Sequence, residues 1–398
     1  MELSGVICPQ ALRASSKKPI RNHDMCRNSI SLPEAGLQHT ARELSASHVS
    51  PRYIHGGLSL NFGVHLNRLL PRPASMYFAA MACLAVIFAA VARSYLRHYK
   101  LSTPAAVSIY VAFVLLLAMA TLPGFLGNKA NPKARFRIGP GPLLALVGIW
   151  CSPYLVYALG TGDFRWVALL KLLLVAVPVL ATYAFLPVAD LRAFSWQDAF
   201  VAAWLVTSVL SGELKGVWNV PLNLDFMSRL FLISVASWCW SFVRVVPELD
   251  YDFRVSGKVM KQAGLNFALF AVLAIPSSLA MHFTAWNPRW HGMVPFLLNY
   301  LEIFLFVALL EELFFRGFLQ TLLSKTFGSW IAGQATVSCL FGLFHILHAP
   351  FPNWRYVVLA SVAGWFYGSA FRKSGSIMAS ALVHAAVDTV WRTWLSAH

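Results

Sequence analysis

Eleven apolar stretches recur from about residue 77 to the C-terminus, at 77–96, 104–124, 141–160, 166–187, 198–211, 226–246, 263–282, 294–315, 329–347, 355–371 and 376–392. A helix needs about 20 apolar residues to cross a bilayer. In lipid, every backbone N–H and C=O must also be satisfied inside the protein. Runs of this length, repeated this often, leave one fold class: an all-α, polytopic transmembrane helix bundle of about 10–11 helices. The stretch 198–211 is short and suits an interfacial position. Pro153, Pro178 and Pro276 fall inside predicted spans, where neighbouring helices or polar side chains can take up the carbonyls they free. At 58% hydrophobic and 12% charged, with mean hydropathy +0.61, the chain is too apolar for a soluble domain.

The net charge of +16 would suit a nucleic-acid binder if its placement were ignored. The basic residues sit mainly in the N-terminal stretch and in loops such as Arg93 to Lys100 and Lys129 to Arg137. Basic loops at membrane ends are the positive-inside signal and attract anionic lipid. The expected partner is therefore the lipid bilayer and not nucleic acid. The expected setting is multi-pass, in the cell membrane of a bacterium. Arg372, Lys373, Lys325 and the 244–261 loop fall on one side, cytosolic by charge, with the turns at 283–293 and 348–354 facing out. The six cysteines, Cys8, Cys26, Cys83, Cys151, Cys239 and Cys339, form no CxxC pair, and four lie in predicted spans. They read as small core residues rather than a disulfide framework or zinc site.

Three regions follow. Residues 1–75 are polar, lack any run long enough for a span or signal core, and read as a disordered extension. Met76 stands directly before the first span and is expected to be the true start. Residues 76–293 hold the N-terminal transmembrane helices, and 294–392 carry the chemistry. No GxGxxG, P-loop, HExxH or GxSxG occurs.

Inside the apolar run LFVALLEELFFRG stand two adjacent acids, Glu311 and Glu312. A charged side chain at bilayer depth costs roughly 2.5–3.5 kcal/mol on insertion scales, so two in a row need a partner or a purpose. Arg316 follows Glu312 by four residues, on the same helical face and in the favourable acid-before-base order. Glu311 is turned about 100° away and has no intrahelical cation. One acid is expected to be paired and the other free to act as a general base.

A second helix ends in Phe341-Gly342-Leu343-Phe344-His345, and the last contains His384 and Asp388. With a hairpin centred near Phe327, Glu311 and His345 both lie roughly 24–27 Å along their helices from that turn. His384 and Asp388 lie roughly 14 and 20 Å from the same side. Acid, arginine and both histidines can share one slab of the membrane. Alone, each has a structural reading: a hydrogen-bonded histidine, a helix-locking Glu312–Arg316 pair, Phe341 packed on His345. Together they mark a functional site. His348 and Glu302 stand nearby but outside the motifs.

The motifs EExxxR, FxxxH and HxxxD on successive C-terminal helices resemble the CPBP (CAAX protease and bacteriocin-processing, or Abi) family, the type II CAAX prenyl endopeptidases. The likeness covers about 294–392 and includes EELFFRGFLQ, CLFGLFH and SGSIMASALVHAAVD. It implies an intramembrane glutamic endopeptidase acting on a peptide or protein substrate, prenylated or itself a membrane protein. By motif, Glu311 with His345 would activate water, and His384 with Asp388 would stabilise the oxyanion. Glu312 and Arg316 would support Glu311, and Phe341 would pack on His345. Many relatives carry Asn where this chain has Asp388. No cofactor is expected. Zinc held by Glu311, His345 and His384 is the alternative. Two other readings compete: a non-catalytic family member binding a partner or lipid, and a proton-coupled transporter.

Overall fold

Each apolar run becomes one helix. The computed structural model describes residues 73–126, 139–221, 223–246, 249 and 255–397. Among these lie eleven helices: α1 (Pro73–His98), α2 (Thr103–Leu126), α3 (Pro140–Thr161), α4 (Trp166–Phe185), α5 (Trp196–Leu210), α6 (Asp225–Val243), α7 (Gly257–Ala280), α8 (Met293–Thr326), α9 (Trp330–Leu343), α10 (Trp354–Ser374) and α11 (Ile377–Trp394). Residues 1–72 of the proposed extension lie outside the described residues, as do the basic loop 129–137 and most of 247–254; Pro73–Ser75, expected to belong to the extension, are helical. Helix α1 is already under way at Pro73, ahead of Met76.

Six helices, α2, α3, α4, α6, α7 and α8, are long and apolar enough to cross a membrane. The Tyr77–Arg93 stretch of α1, and helices α5 and α9, are apolar but shorter. Helices α10 and α11 have the length without the composition. Helix α10 packs on α7, α8, α9 and α11, and α11 packs on α7, α8 and α10. The protein is an integral membrane helix bundle.

Local sequence explains the element boundaries. Ser195, Ser256, Ser329, Asn353 and Ser376 each accept a backbone N–H at the start of a helix. Gly375 ends α10 in the left-handed region (φ 75°), which only glycine adopts freely. The α8–α9 hairpin turns at Gly328, also left-handed (φ 63°), beside the expected Phe327.

Proline takes one N–H out of a helical ladder and strands the carbonyl four residues before it. For Pro153 that carbonyl belongs to Ile149 and accepts from the Ser152 hydroxyl at 2.8 Å. For Pro178 it is Leu174, which accepts from the Trp204 indole of α5 at 3.2 Å. A further proline, Pro123 in α2, strands Met119, which accepts from the Trp238 indole of α6 at 2.8 Å.

The N-terminal helices carry a second polar lock. Asp198 and Arg244 are both buried and meet through two contacts, Nε to Oδ1 at 2.8 Å and Nη2 to Oδ2 at 2.9 Å. Tyr183 donates to the same carboxylate at 3.0 Å, and the remaining guanidinium donors reach the Leu191 and Ala193 carbonyls. Every charge here is matched, as burial demands. The lock ties the connection before α5 to the end of α6.

At the C-terminal end, β1 (Thr284–Trp286) and β2 (Leu395–Ala397) form a two-stranded antiparallel ribbon, with Ala285 opposite Ser396. Arg355 reaches the His282 carbonyl at 3.5 Å. These contacts gather the α7–α8 connection, the start of α10 and the end of α11 at one end of the bundle.

Helices α9 and α10 approach closely because Gly342 lets them. A Cβ there would strike the Ser361 hydroxyl and lie 2.5 Å from the Val357 carbonyl. Gly342→Ala is therefore expected to cost about 1–3 kcal/mol of stability through overpacking, read as a lower unfolding midpoint. Gly148→Ala is the control, since a Cβ at Gly148 would meet nothing within 4 Å. Equal midpoints for both variants would show that the α9–α10 crossing yields easily.

Candidate functional site

The site is built on α8, α10 and α11, with the end of α9 at its edge. Helix α8 leaves the regular i→i+4 ladder on both sides of the paired acids. Phe304–Ala308 and Leu313–Gln320 make wider turns with i→i+5 bonds, such as Leu309 N–H to Phe304 O and Thr321 N–H to Arg316 O. Wide turns of this kind are rare and cluster at functional sites. Here they flank the segment Leu309–Glu312 and set the faces on which Glu311, Glu312 and Arg316 emerge.

Glu312 and Arg316 are wholly buried, each 0% exposed. Arg316 Nε lies 3.1 Å from Glu312 Oε2, a charge contact without hydrogen-bond alignment. The guanidinium also donates through Nη2 to the Gly364 carbonyl of α10 at 3.0 Å. Its carbon sits 4.8 Å from the centre of the Phe341 ring and 5.4 Å from that of Tyr367. Aromatic faces are a favourable setting for a desolvated cation.

The other Glu312 oxygen, Oε1, is 2.9 Å from His384 Nδ1. A carboxylate only accepts, so Nδ1 carries the proton and Nε2 is turned the other way. Nε2 lies 3.9 Å from Glu311 Oε2 and 3.6 Å from Asp388 Oδ2. Both separations exceed a hydrogen bond and fit charge contact or a bridging molecule. His384 is thus held from behind by Glu312 and faces two acids in front. The side chains of those two are partly open, 34% for Glu311 and 37% for Asp388, against 4% for His384. The sealed Glu312–Arg316 pair lies behind His384, and the two partly exposed acids lie in front of it.

His345 stands in the turn just past α9. Its Nδ1 is 2.8 Å from the Phe341 carbonyl, again an acceptor, so Nδ1 donates and Nε2 keeps its lone pair. The ring rests against Phe341 (5.0 Å between centres), Tyr356 (4.5 Å) and His348 (5.6 Å). His345 lies within electrostatic reach of His384 and Asp388. The charged contact of Glu311 is with His384, at 3.9 Å. His345 lies beyond the last turn of α9, whereas His384 sits in the middle of α11.

Glu302 and His348 are exposed, and neither enters this cluster as an acid or ligand. Among the described residues, no three His, Cys, Asp or Glu side chains are arranged to hold a metal ion.

Helices α8 and α11, far apart in sequence, thus bring Glu311, Glu312, Arg316, His384 and Asp388 together inside a membrane bundle. Residues 293–390 match the family model for the Rce1-like type II CAAX prenyl endopeptidases. The match covers the same stretch as the three motifs, 294–392 by sequence reading. No curated protein and no solved structure matches the chain. The Rce1-like segment begins with α8 and takes in all of α9 and α10 and most of α11.

Two members of this Rce1-like core carry no motif. Tyr367 is fully buried and stacks on His384, and Tyr356 packs on His345. Aromatic residues are common on membrane helices, and nothing in their spacing sets these two apart.

Proposed function

We propose that residues 293–390 form the catalytic core of an intramembrane endopeptidase that hydrolyses a peptide bond without a metal. The observation that supports this most is the placement of His384, held by Glu312 on one nitrogen and turned by the other towards Glu311 and Asp388. Glu311 takes the proton of a water beside it, with the free Nε2 of His345 as a second acceptor. The water oxygen bonds to the scissile carbonyl carbon, and the carbonyl oxygen becomes an oxyanion. His384, protonated, donates to that oxygen through Nε2–H. Such donors in a dry site contribute about 2.7–4 kcal/mol each. The proton held by Glu311 passes to the departing amine as the C–N bond breaks, leaving a carboxylic acid and an amine. The substrate is a peptide segment of a prenylated or membrane protein, reached from within the cell membrane.

Asp388 orients His384 from one turn away. Asp388→Asn is expected to keep cleavage within about threefold, and Asp388→Ala to lose roughly a hundredfold, the size of a positioning loss. Equal losses in both would make the carboxylate itself a reactant.

The function is tested by incubating the full-length protein in lipid nanodiscs with membrane-anchored peptides in H2(18)O. Hydrolysis creates a new C-terminus carrying one heavy oxygen, detected by mass spectrometry. Cleavage is expected to survive chelators in metal-free protein. No labelled terminus with any peptide would overturn the reading in favour of a binding or transport role, and loss on chelation would overturn metal independence.

A further inference from the structure

An imidazole tied by one nitrogen is not fixed. His384 hydrogen-bonds through Nδ1, but rotation about its Cβ–Cγ bond lies in a broad well. A pivot about the Nδ1···Oε1 line would swing Nε2 away from Glu311 and Asp388. Tyr367 prevents this. Its ring lies 4.7 Å from the imidazole at an interplanar angle of 17°, nearly parallel, while Phe341 meets the same imidazole edge-on at 5.7 Å and 86°. Tyr367 is 1% exposed, so it has no room to move aside. Phe341 meets Tyr367 at 5.8 Å and 77°, and Arg316 bears on both rings. Gly364 and Gly368 bracket Tyr367 on α10, and a Cβ at Gly368 would come within 2.7 Å of Gln320 on α8. That close approach lets the ring of Tyr367 reach from α10 across to α11.

We propose that Tyr367 is a positioning residue that fixes the plane of His384 and so aims Nε2 between Glu311 and Asp388, an assignment that deepens the endopeptidase reading and rests on it. The flat face does this, not the hydroxyl. Phe at this position should serve, whereas an aliphatic side chain of similar volume should not. A misplacement of about 1 Å at a reacting group is enough to cost roughly a hundredfold in rate.

The test compares wild type with Tyr367→Phe, Tyr367→Leu and Tyr367→Met in two readouts on the full-length protein. The first is peptide cleavage. Tyr367→Phe is expected within about threefold of wild-type kcat, and Leu and Met about a hundredfold lower with KM within threefold. The second is the nitrogen spectrum of the 15N-labelled His384 ring, assigned by its disappearance in His384→Gln. Wild type and Phe should show one ordered pair of ring-nitrogen signals, with protons on both Nδ1 and Nε2, and Leu and Met averaged or broadened ones. An unchanged rate and signal in Leu and Met would overturn the proposal. So would loss in the Phe variant, which would move the role to the hydroxyl. If wild type cleaves no peptide, the spectra decide alone, and the endopeptidase reading fails independently of the clamp. Should Leu not fold, Met, which fills more of the space, carries the comparison.

Discussion

Glu311→Gln is expected to abolish hydrolysis, lowering kcat by roughly a thousandfold, within the range for loss of a general base. The fold should be untouched. Glu311 is partly open and makes one ionic contact, with His384 at 3.9 Å, so the amide replaces it without stranding a buried cation. Unfolding midpoint and cleavage should therefore separate: an unchanged melt with an inactive protein. Cleavage at the wild-type rate would take Glu311 out of the chemistry and with it the division of roles proposed above.

The acid one residue later should behave in the opposite way. Glu312→Ala leaves Arg316 wholly buried, with the Gly364 carbonyl and aromatic faces as its remaining company, and leaves His384 Nδ1 without its acceptor. Removing one member of a buried pair costs about 3–5 kcal/mol. The variant is expected to melt far below wild type and to be inactive. Glu312→Gln keeps an acceptor oxygen for His384 Nδ1 and should recover part of the stability. A Glu312→Ala protein as stable as wild type would mean that Arg316 finds another partner and that the chain from Arg316 through Glu312 to His384 does not hold the site together.

Much of this architecture could be read in advance because lipid is a demanding solvent. A span must be apolar for about 20 residues, so eleven runs became eleven helices, with α5 short as its 14-residue run suggested. The Glu312–Arg316 pair followed from helical spacing alone. What sequence could not supply was rotation and distant packing. The second partner of Glu312, His384, lies 72 residues away. The contact depends on how α8 is turned by its wide segments, which no spacing rule encodes. The Asp198–Arg244 lock joins residues 46 apart with no motif between them, and Asp198 also closes a capping box with Ser195. Tyr367 has no signature at all. Its part comes from lying flat on one imidazole, and only the assembled bundle shows that.

The stranded carbonyls of Leu174 and Met119 also fix how neighbouring helices align. In hydrocarbon, helices slide past one another with little resistance, since one apolar turn resembles the next. An indole N–H that finds its acceptor only at the break left by Pro178 or Pro123 removes that freedom. Slipping α5 along α4, or α6 along α2, by a single turn would move the donor to a carbonyl already engaged by its own ladder. These prolines therefore serve as notches that index the front of the bundle, and the tryptophans are the pins that drop into them.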